Sequence, residues 1–134
     1  MTKGTVDVEV RVRYAETDKM GVAYYANYLV WFEVGRAELC RMKGFCYAEL
    51  EVLGYILVVT DVHCHYRGSA KYDEVLIVRT RLKEINKRMI TFFYQILKKG
   101  SDEPLAEGET RHLSLGPNGK PKSLPEKFIE ILSS

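Results

Sequence analysis

Asp18 stands in the polar run Glu16-Thr17-Asp18-Lys19-Met20-Gly21, between a strand-like segment and a helix-like one. A free aspartate is ionised at neutral pH, so it can attack an electrophilic carbon or activate a water molecule. The residues after Gly21, Val22-Ala23-Tyr24-Tyr25-Ala26-Asn27, lead into the helix. The first N–H groups of a helix lack intrahelical acceptors and carry positive dipole character. They can polarise a carbonyl and hold a developing oxyanion. A carboxylate on the turn before such a helix can reach the same carbonyl. Asp is also common in turns for purely local reasons. Spacing alone leaves both readings open.

Other side chains invite chemistry less strongly. His63 and His65 share one face of a strand but have no third ligand at local spacing. A catalytic zinc needs three protein ligands, so pocket-lining or structural roles are expected, and no metal. Cys64 points to the opposite face and reads as core. Cys40, Cys46 and Cys64 make an odd set without C-x-x-C spacing, which predicts reduced thiols and a cytoplasmic protein. Tyr14, Tyr24, Tyr25, Tyr28 and Trp31 cluster in sequence. They are expected to be mostly core, with some able to line a pocket.

These residues need elements to hold them. Val6, Val8, Val10, Val12 and Tyr14 alternate with Asp7, Glu9, Arg11 and Arg13, which predicts a strand with one wet face. Asn27 to Lys43 reads as a helix, with Asn27 as N-cap and Gly44 as the stop. Its apolar residues spread around most of its girth, so it is expected to be buried. Tyr55 to Tyr66, Glu74 to Glu84, Arg88 to Lys98 and Leu105 to Leu115 read as strands joined by short turns. A short helix is expected near Pro125 to Leu132. The prediction is an α+β protein with about five antiparallel strands curved around one long helix. Ala106, Gly108, Thr110, His112 and Ser114 share one strand face, and most are small. Such a face lets a helix approach closely, and Gly35 on the helix does the same.

The 134 residues carry 20 Lys+Arg and 18 Asp+Glu, with 46% hydrophobic content. This fits one soluble domain over residues 1–134 and excludes disorder. No apolar run is long enough to span a membrane, and Met1-Thr2-Lys3-Gly4 begins no export signal. Charge is unevenly placed. Residues 67–99 hold nine bases and three acids, a surplus of +6, while the rest of the chain is −4. The plain reading is a solvated sheet face. The sharper reading is an anion site for a phosphorylated ligand. The modest net charge and the absence of a recognition motif argue against nucleic acid.

The run from Val12 to Glu33 resembles the signature of hotdog-fold acyl-CoA thioesterases. The branch is that of 4-hydroxybenzoyl-CoA thioesterase and the Tol–Pal-associated bacterial thioesterases. The matching pattern is an aromatic (Tyr14), two residues, Thr17-Asp18, two residues, Gly21-Val22, then Tyr24-x-x-Asn27-Tyr28 and Phe32-Glu33, with Arg36 three residues on. The resemblance extends through Tyr66, Ala70 and Asp73 to Gly119-Lys120-Pro121. It implies Asp18 as nucleophile or general base and the Tyr25 backbone N–H as oxyanion donor. Tyr25 stands where many Tol–Pal-branch members have His, and a backbone donor survives that change. Gly21, Tyr24 and Asn27 are expected to contact substrate. The resemblance also implies a homodimer or homotetramer, no cofactor, and CoA phosphates held by surface bases. Lys87 and Arg88 are expected phosphate ligands, with Arg67 and Lys71 behind them. Another hotdog branch uses a helix carboxylate, which draws attention to Glu33. It is expected to be a buried or interface carboxylate paired with Arg36.

The resemblance implies hydrolysis of a short-chain aliphatic or aromatic acyl-CoA. The alternative is a hotdog protein that binds acyl-CoA or acyl carrier protein without hydrolysis.

Overall fold

The structure, a computed structural model, describes residues 4–134. Met1, Thr2 and Lys3, where the export signal was sought, lie outside the described residues.

Five strands form one antiparallel sheet: β1 (Thr5–Arg11), β2 (Ile56–Tyr66), β3 (Val75–Ile85), β4 (Met89–Lys98) and β5 (Pro104–Leu115). Their spatial order is β1-β3-β4-β5-β2. The long helix α1 (Asn27–Lys43) lies on one face, joined by α2 (Tyr47–Val52) and α3 (Glu126–Ser133). Gly44, left-handed at φ 107°, ends α1 and donates to the Arg41 and Cys40 carbonyls. Strand register shifts at Val59/Asp61, Leu82/Glu84 and Ile96/Leu97 mark bulges, which bend and twist the strands locally.

One row explains how closely the helix lies. Val6, Thr80, Tyr94, Gly108 and Cys64 face each other in register across all five strands. Phe32 of α1 stacks on Tyr94 at 4.2 Å and 7°. A Cβ on Gly108 would lie 2.9 Å from the Phe32 ring. A Cβ on Gly35 would overlap the Thr80 hydroxyl and lie 2.9 Å from Val78 Cγ1. Gly35→Ala is therefore expected to destabilise the protein by about 1–3 kcal/mol, despite a helix-propensity gain of about 1 kcal/mol. A urea titration checks this; a stabilised variant would mean the helix can lift away without penalty.

Several readings need correction, among them the aromatic cluster: Tyr14, Tyr24 and Tyr25 are exposed, and only Tyr28 and Trp31 are core. The first strand stops at Arg11, and Tyr14–Glu16 form a 3-10 turn. The cause is local: the Glu16 carboxylate accepts the Arg13 N–H at 2.7 Å and folds the chain back. The helix α2 was not foreseen, because six residues are too few to display a period. Finally, α1 buries one side rather than most of its girth. Tyr28, Trp31, Phe32, Gly35, Leu39 and Cys40 are buried, while Val30 and Val34 are exposed.

Candidate active site

The turn before α1 is built around Glu16. Its side chain is 6% exposed and ion-paired with Arg13 at 3.4 Å. Its carbonyl accepts two hydrogen bonds, from the Tyr24 N–H and the Asn27 side-chain amide, both at 2.8 Å. A bridge between Thr17 and Ala23 closes the loop. Asp18 sits at its tip. Its N–H donates to the Val22 carbonyl, and its own carbonyl accepts from Gly21, which is left-handed at φ 81°. Gly21 suits that conformation because it has no Cβ. One Asp18 carboxylate oxygen accepts the Met20 N–H at 2.8 Å. The side chain is exposed, and its other oxygen has no hydrogen bond among the described residues.

Tyr25 precedes α1 by two residues. Its carbonyl accepts from the Tyr28 N–H at 3.2 Å and from the Tyr66 hydroxyl at 2.9 Å. Among the described residues its N–H donates to nothing. An unpaired donor at a helix start, beside an exposed carboxylate loop, can polarise a carbonyl while the carboxylate meets its carbon. The ring of Tyr24 lies 4.7 Å from that of Tyr25, and both are exposed at the rim. Asn27 directs its side-chain amide into the loop, onto Glu16.

Lys71 joins this region through a bridge to Val22. Arg67 ion-pairs with Glu107 at 3.7 Å. Lys87 and Arg88 are not brought to Asp18 within one chain. They lie in the β3–β4 turn, at the opposite end of strands about 30 Å long. There they flank a cavity of about 460 Å³ with Asn86, Met89, Leu113 and Pro121.

The basic segment is mostly neutralised. Arg67, Arg79, Lys83, Lys98 and Lys99 pair with acids, four of them from other strands. Arg81 lies 4.6 Å over the Phe93 ring. The +6 surplus is thus largely a laced sheet face. Among the described residues, Lys71, Lys87 and Arg88 are the bases of the segment with neither kind of partner.

The remaining candidates separate cleanly. His63 and His65 are exposed on the outer face with Arg67, Glu107 and Glu109. No metal-binding group of three or more exists among the described residues. The three cysteines are free, and burial pushes the Cys40 thiol up to about 12. Glu33 differs from expectation. It is exposed rather than buried within the single chain and makes no ion pair with Arg36 among the described residues; both line a cavity of about 200 Å³ with Tyr47, Tyr55 and His112.

His112 is buried there, with Nε2 2.8 Å from the Thr110 hydroxyl. Burial, and then Arg36, push its pKa down to about 4. The folded protein therefore refuses a proton that the unfolded chain accepts. Stability should be unaffected above pH 6.5 and fall by up to about 3 kcal/mol as the pH drops from 6.5 toward 4. Urea midpoints at pH 7 and pH 4.5 check this, and His112→Gln should flatten the difference. An equal drop in that variant would assign the effect to other groups.

Sequence reasoning missed Glu16 and Tyr66 as parts of this site. Glu16 had one visible signal, its place three residues after Arg13 at a strand end. Tyr66 had none, because the contact spans 41 residues.

Comparison with known proteins decides the family. Residues 12–132 match the model of the thioesterase-like superfamily. The chain belongs to the thioesterase-like superfamily. A relative from Aquifex aeolicus is 34% identical over 122 residues, covering 91% of this chain and 93% of that one. The acyl-CoA thioester hydrolase YbgC of Escherichia coli is 28% identical, covering 90% of each. The DHNA-CoA thioesterase of Staphylococcus aureus superposes with a TM-score of 0.90 at 35% identity, over 96% of this chain and 89% of that one. The helix-in-sheet architecture is thus the hotdog fold, and the chain is a thioesterase-class enzyme. No described helix is long and apolar enough to cross a membrane.

Proposed function

We propose that this protein hydrolyses acyl-CoA thioesters, with Asp18 as nucleophile or general base and the Tyr25 N–H as oxyanion donor. The observation that carries this is the pairing of an exposed carboxylate with an unpaired helix-start N–H on one clamped loop. The thioester carbonyl oxygen accepts from Tyr25. Asp18 then attacks the carbonyl carbon, giving an acyl-aspartyl anhydride that water cleaves after the thiolate has left, or takes a proton from water that attacks the carbonyl directly. Negative charge grows on the oxygen and is held by the donor until the CoA thiolate leaves. Gly21 and Tyr24 form the substrate-facing rim, and Asn27 serves by holding the loop. Residues 1–134 act as one such domain, in a reducing compartment where the thiols stay free. No metal or organic cofactor enters the reaction.

The working unit is a homodimer through β2, with further pairing into a tetramer left to the same experiment. β2 is an edge strand. Its helix-side residues Val59, Val62 and Tyr66 pair in register with buried β5 residues, yet are 39–49% exposed. Val30 and Val34 of α1 are exposed as well. An uncovered apolar edge of this kind calls for a partner. A two-fold pairing of β2 strands turns the second sheet end for end. The partner's Lys87 and Arg88 then fall on the side of this chain's Asp18 loop, where they bind CoA phosphates together with Lys71.

Thiol release from short aliphatic, long aliphatic and aromatic acyl-CoAs tests the activity. Saturable release with one of these classes supports it and identifies the acyl group. Binding without release favours a non-catalytic acyl-CoA or acyl-carrier-protein module. Light scattering at the assay concentration checks the assembly, and a monomer that turns over at full rate would remove the dimer.

A further inference from the structure

We propose that Tyr66 is a positioning residue for thioester cleavage: its hydroxyl, donated to the Tyr25 carbonyl, fixes the backbone that presents the oxyanion N–H. This rests on the reading of Asp18 and Tyr25 given above. Tyr66 is the last residue of β2 and lies on its helix side, paired with Ala106. Its hydroxyl stands 2.9 Å from the Tyr25 carbonyl. Its ring meets Tyr28 edge-on at 5.1 Å and Tyr25 edge-on at 6.3 Å. Tyr28 is a fixed wall, because it is 2% exposed and its hydroxyl accepts the Ala70 N–H.

Two consecutive peptide planes set the direction of the oxyanion donor. The Tyr24–Tyr25 peptide carries that N–H, and its carbonyl is held by the Asn27 N–H at 3.0 Å. The Tyr25–Ala26 peptide is held by Tyr66 and by the Tyr28 N–H. The Tyr28 bond belongs to the helix start itself. Tyr66 adds the contact from across the sheet, which stops the turn from rocking. Burial, followed by the Cys64 thiol, raises the Tyr66 hydroxyl well above the ordinary tyrosine range, so it remains a donor at any working pH. A donor that is already oriented is worth most where charge develops, since no reorganisation accompanies the reaction. The strand that carries Tyr66 is also the proposed dimer edge, so subunit pairing and oxyanion geometry share one element.

The test is Tyr66→Phe, which keeps the ring packing and removes the hydroxyl. Its kcat is expected to fall about tenfold, the scale of one neutral hydrogen bond, with KM unchanged and the thermal midpoint lowered by only a few degrees. In a Tyr25→Pro background, where the oxyanion N–H is gone, the same change is expected to have almost no further effect. Wild-type kcat in Tyr66→Phe, or an undiminished tenfold loss in the Pro background, overturns the proposal. Asp18→Asn is assayed alongside. If Asp18→Asn is inactive and Tyr66→Phe is normal, only the role of Tyr66 fails. If Asp18→Asn turns over normally, the site reading itself fails, and this proposal with it.

Discussion

Asp18→Asn should lower kcat for acyl-CoA hydrolysis by about 10³-fold, the range for loss of a positioned base or nucleophile. The change is nearly isosteric. Asn keeps an oxygen that can accept the Met20 N–H, which now bonds the carboxylate at 2.8 Å. The loop should hold, because its other contacts are backbone bonds and Glu16. The stability change should be small, and KM should move little, since the lost charge acts on the reacting carbon rather than on CoA. Circular dichroism and steady-state thiol release check both halves. A folded variant at near-normal kcat would exclude any reaction routed through this carboxylate.

The second large effect concerns a backbone atom. Tyr25→Pro removes one N–H and should lower kcat by about 10²-fold or more, the measured scale for one oxyanion donor. Tyr25→Ala keeps the N–H and should retain most of kcat. The contrast is informative because the Tyr25 N–H makes no hydrogen bond among the described residues. Proline therefore breaks no internal bond there, and residue 25 is the second position of the Tyr24–Asn27 turn, where proline is favoured. The opposite ranking, with Ala impaired and Pro active, would place the function of residue 25 in its side chain. It would then occupy the position where many Tol–Pal-branch members carry His, and would do so by side-chain chemistry.

Much of this arrangement was legible in the chain, and the pattern of what was legible follows from distance. The alternation of Val6, Val8 and Val10 with charged residues is a local signal, and β1 is there. Gly44 stops α1 as read, but Asn27 is its first residue and not its N-cap: Ala26 holds the cap position without a side-chain bond, and the Asn27 amide is drawn to the Glu16 carbonyl instead. The small face of β5 and Gly35 predicted a close helix, and the overlap that a Gly35 methyl would make with Thr80 explains why. Asp18 and Tyr25 came from a long motif that is continuous in sequence, from Val12 into the first turns of α1.

What was not legible depends on contacts between distant segments. The +6 surplus suggested an anion site, yet Arg79 pairs with Asp7 and Lys99 with Glu9, from a strand at the other end of the sequence. Charge counted along the chain cannot register such pairs. Glu33 and Arg36 are three apart on a helix, which predicts a pair, yet they line the cavity beside α2 without forming one. The opposite ends occupied by Asp18 and by Lys87 with Arg88 follow from strand order, which no local pattern encodes. That separation is also what makes a second subunit necessary to the proposed CoA site.

The most direct measurement is a crystal structure of Asp18→Asn soaked with its best acyl-CoA, which the variant should leave intact. The account predicts the thioester carbonyl oxygen at about 2.9 Å from the Tyr25 nitrogen, an ordinary N–H···O distance, with residue 18 against the carbonyl carbon. Acyl-CoA bound with its thioester remote from residues 18 and 25, for instance in the cavity beside Glu33 and His112, would contradict it.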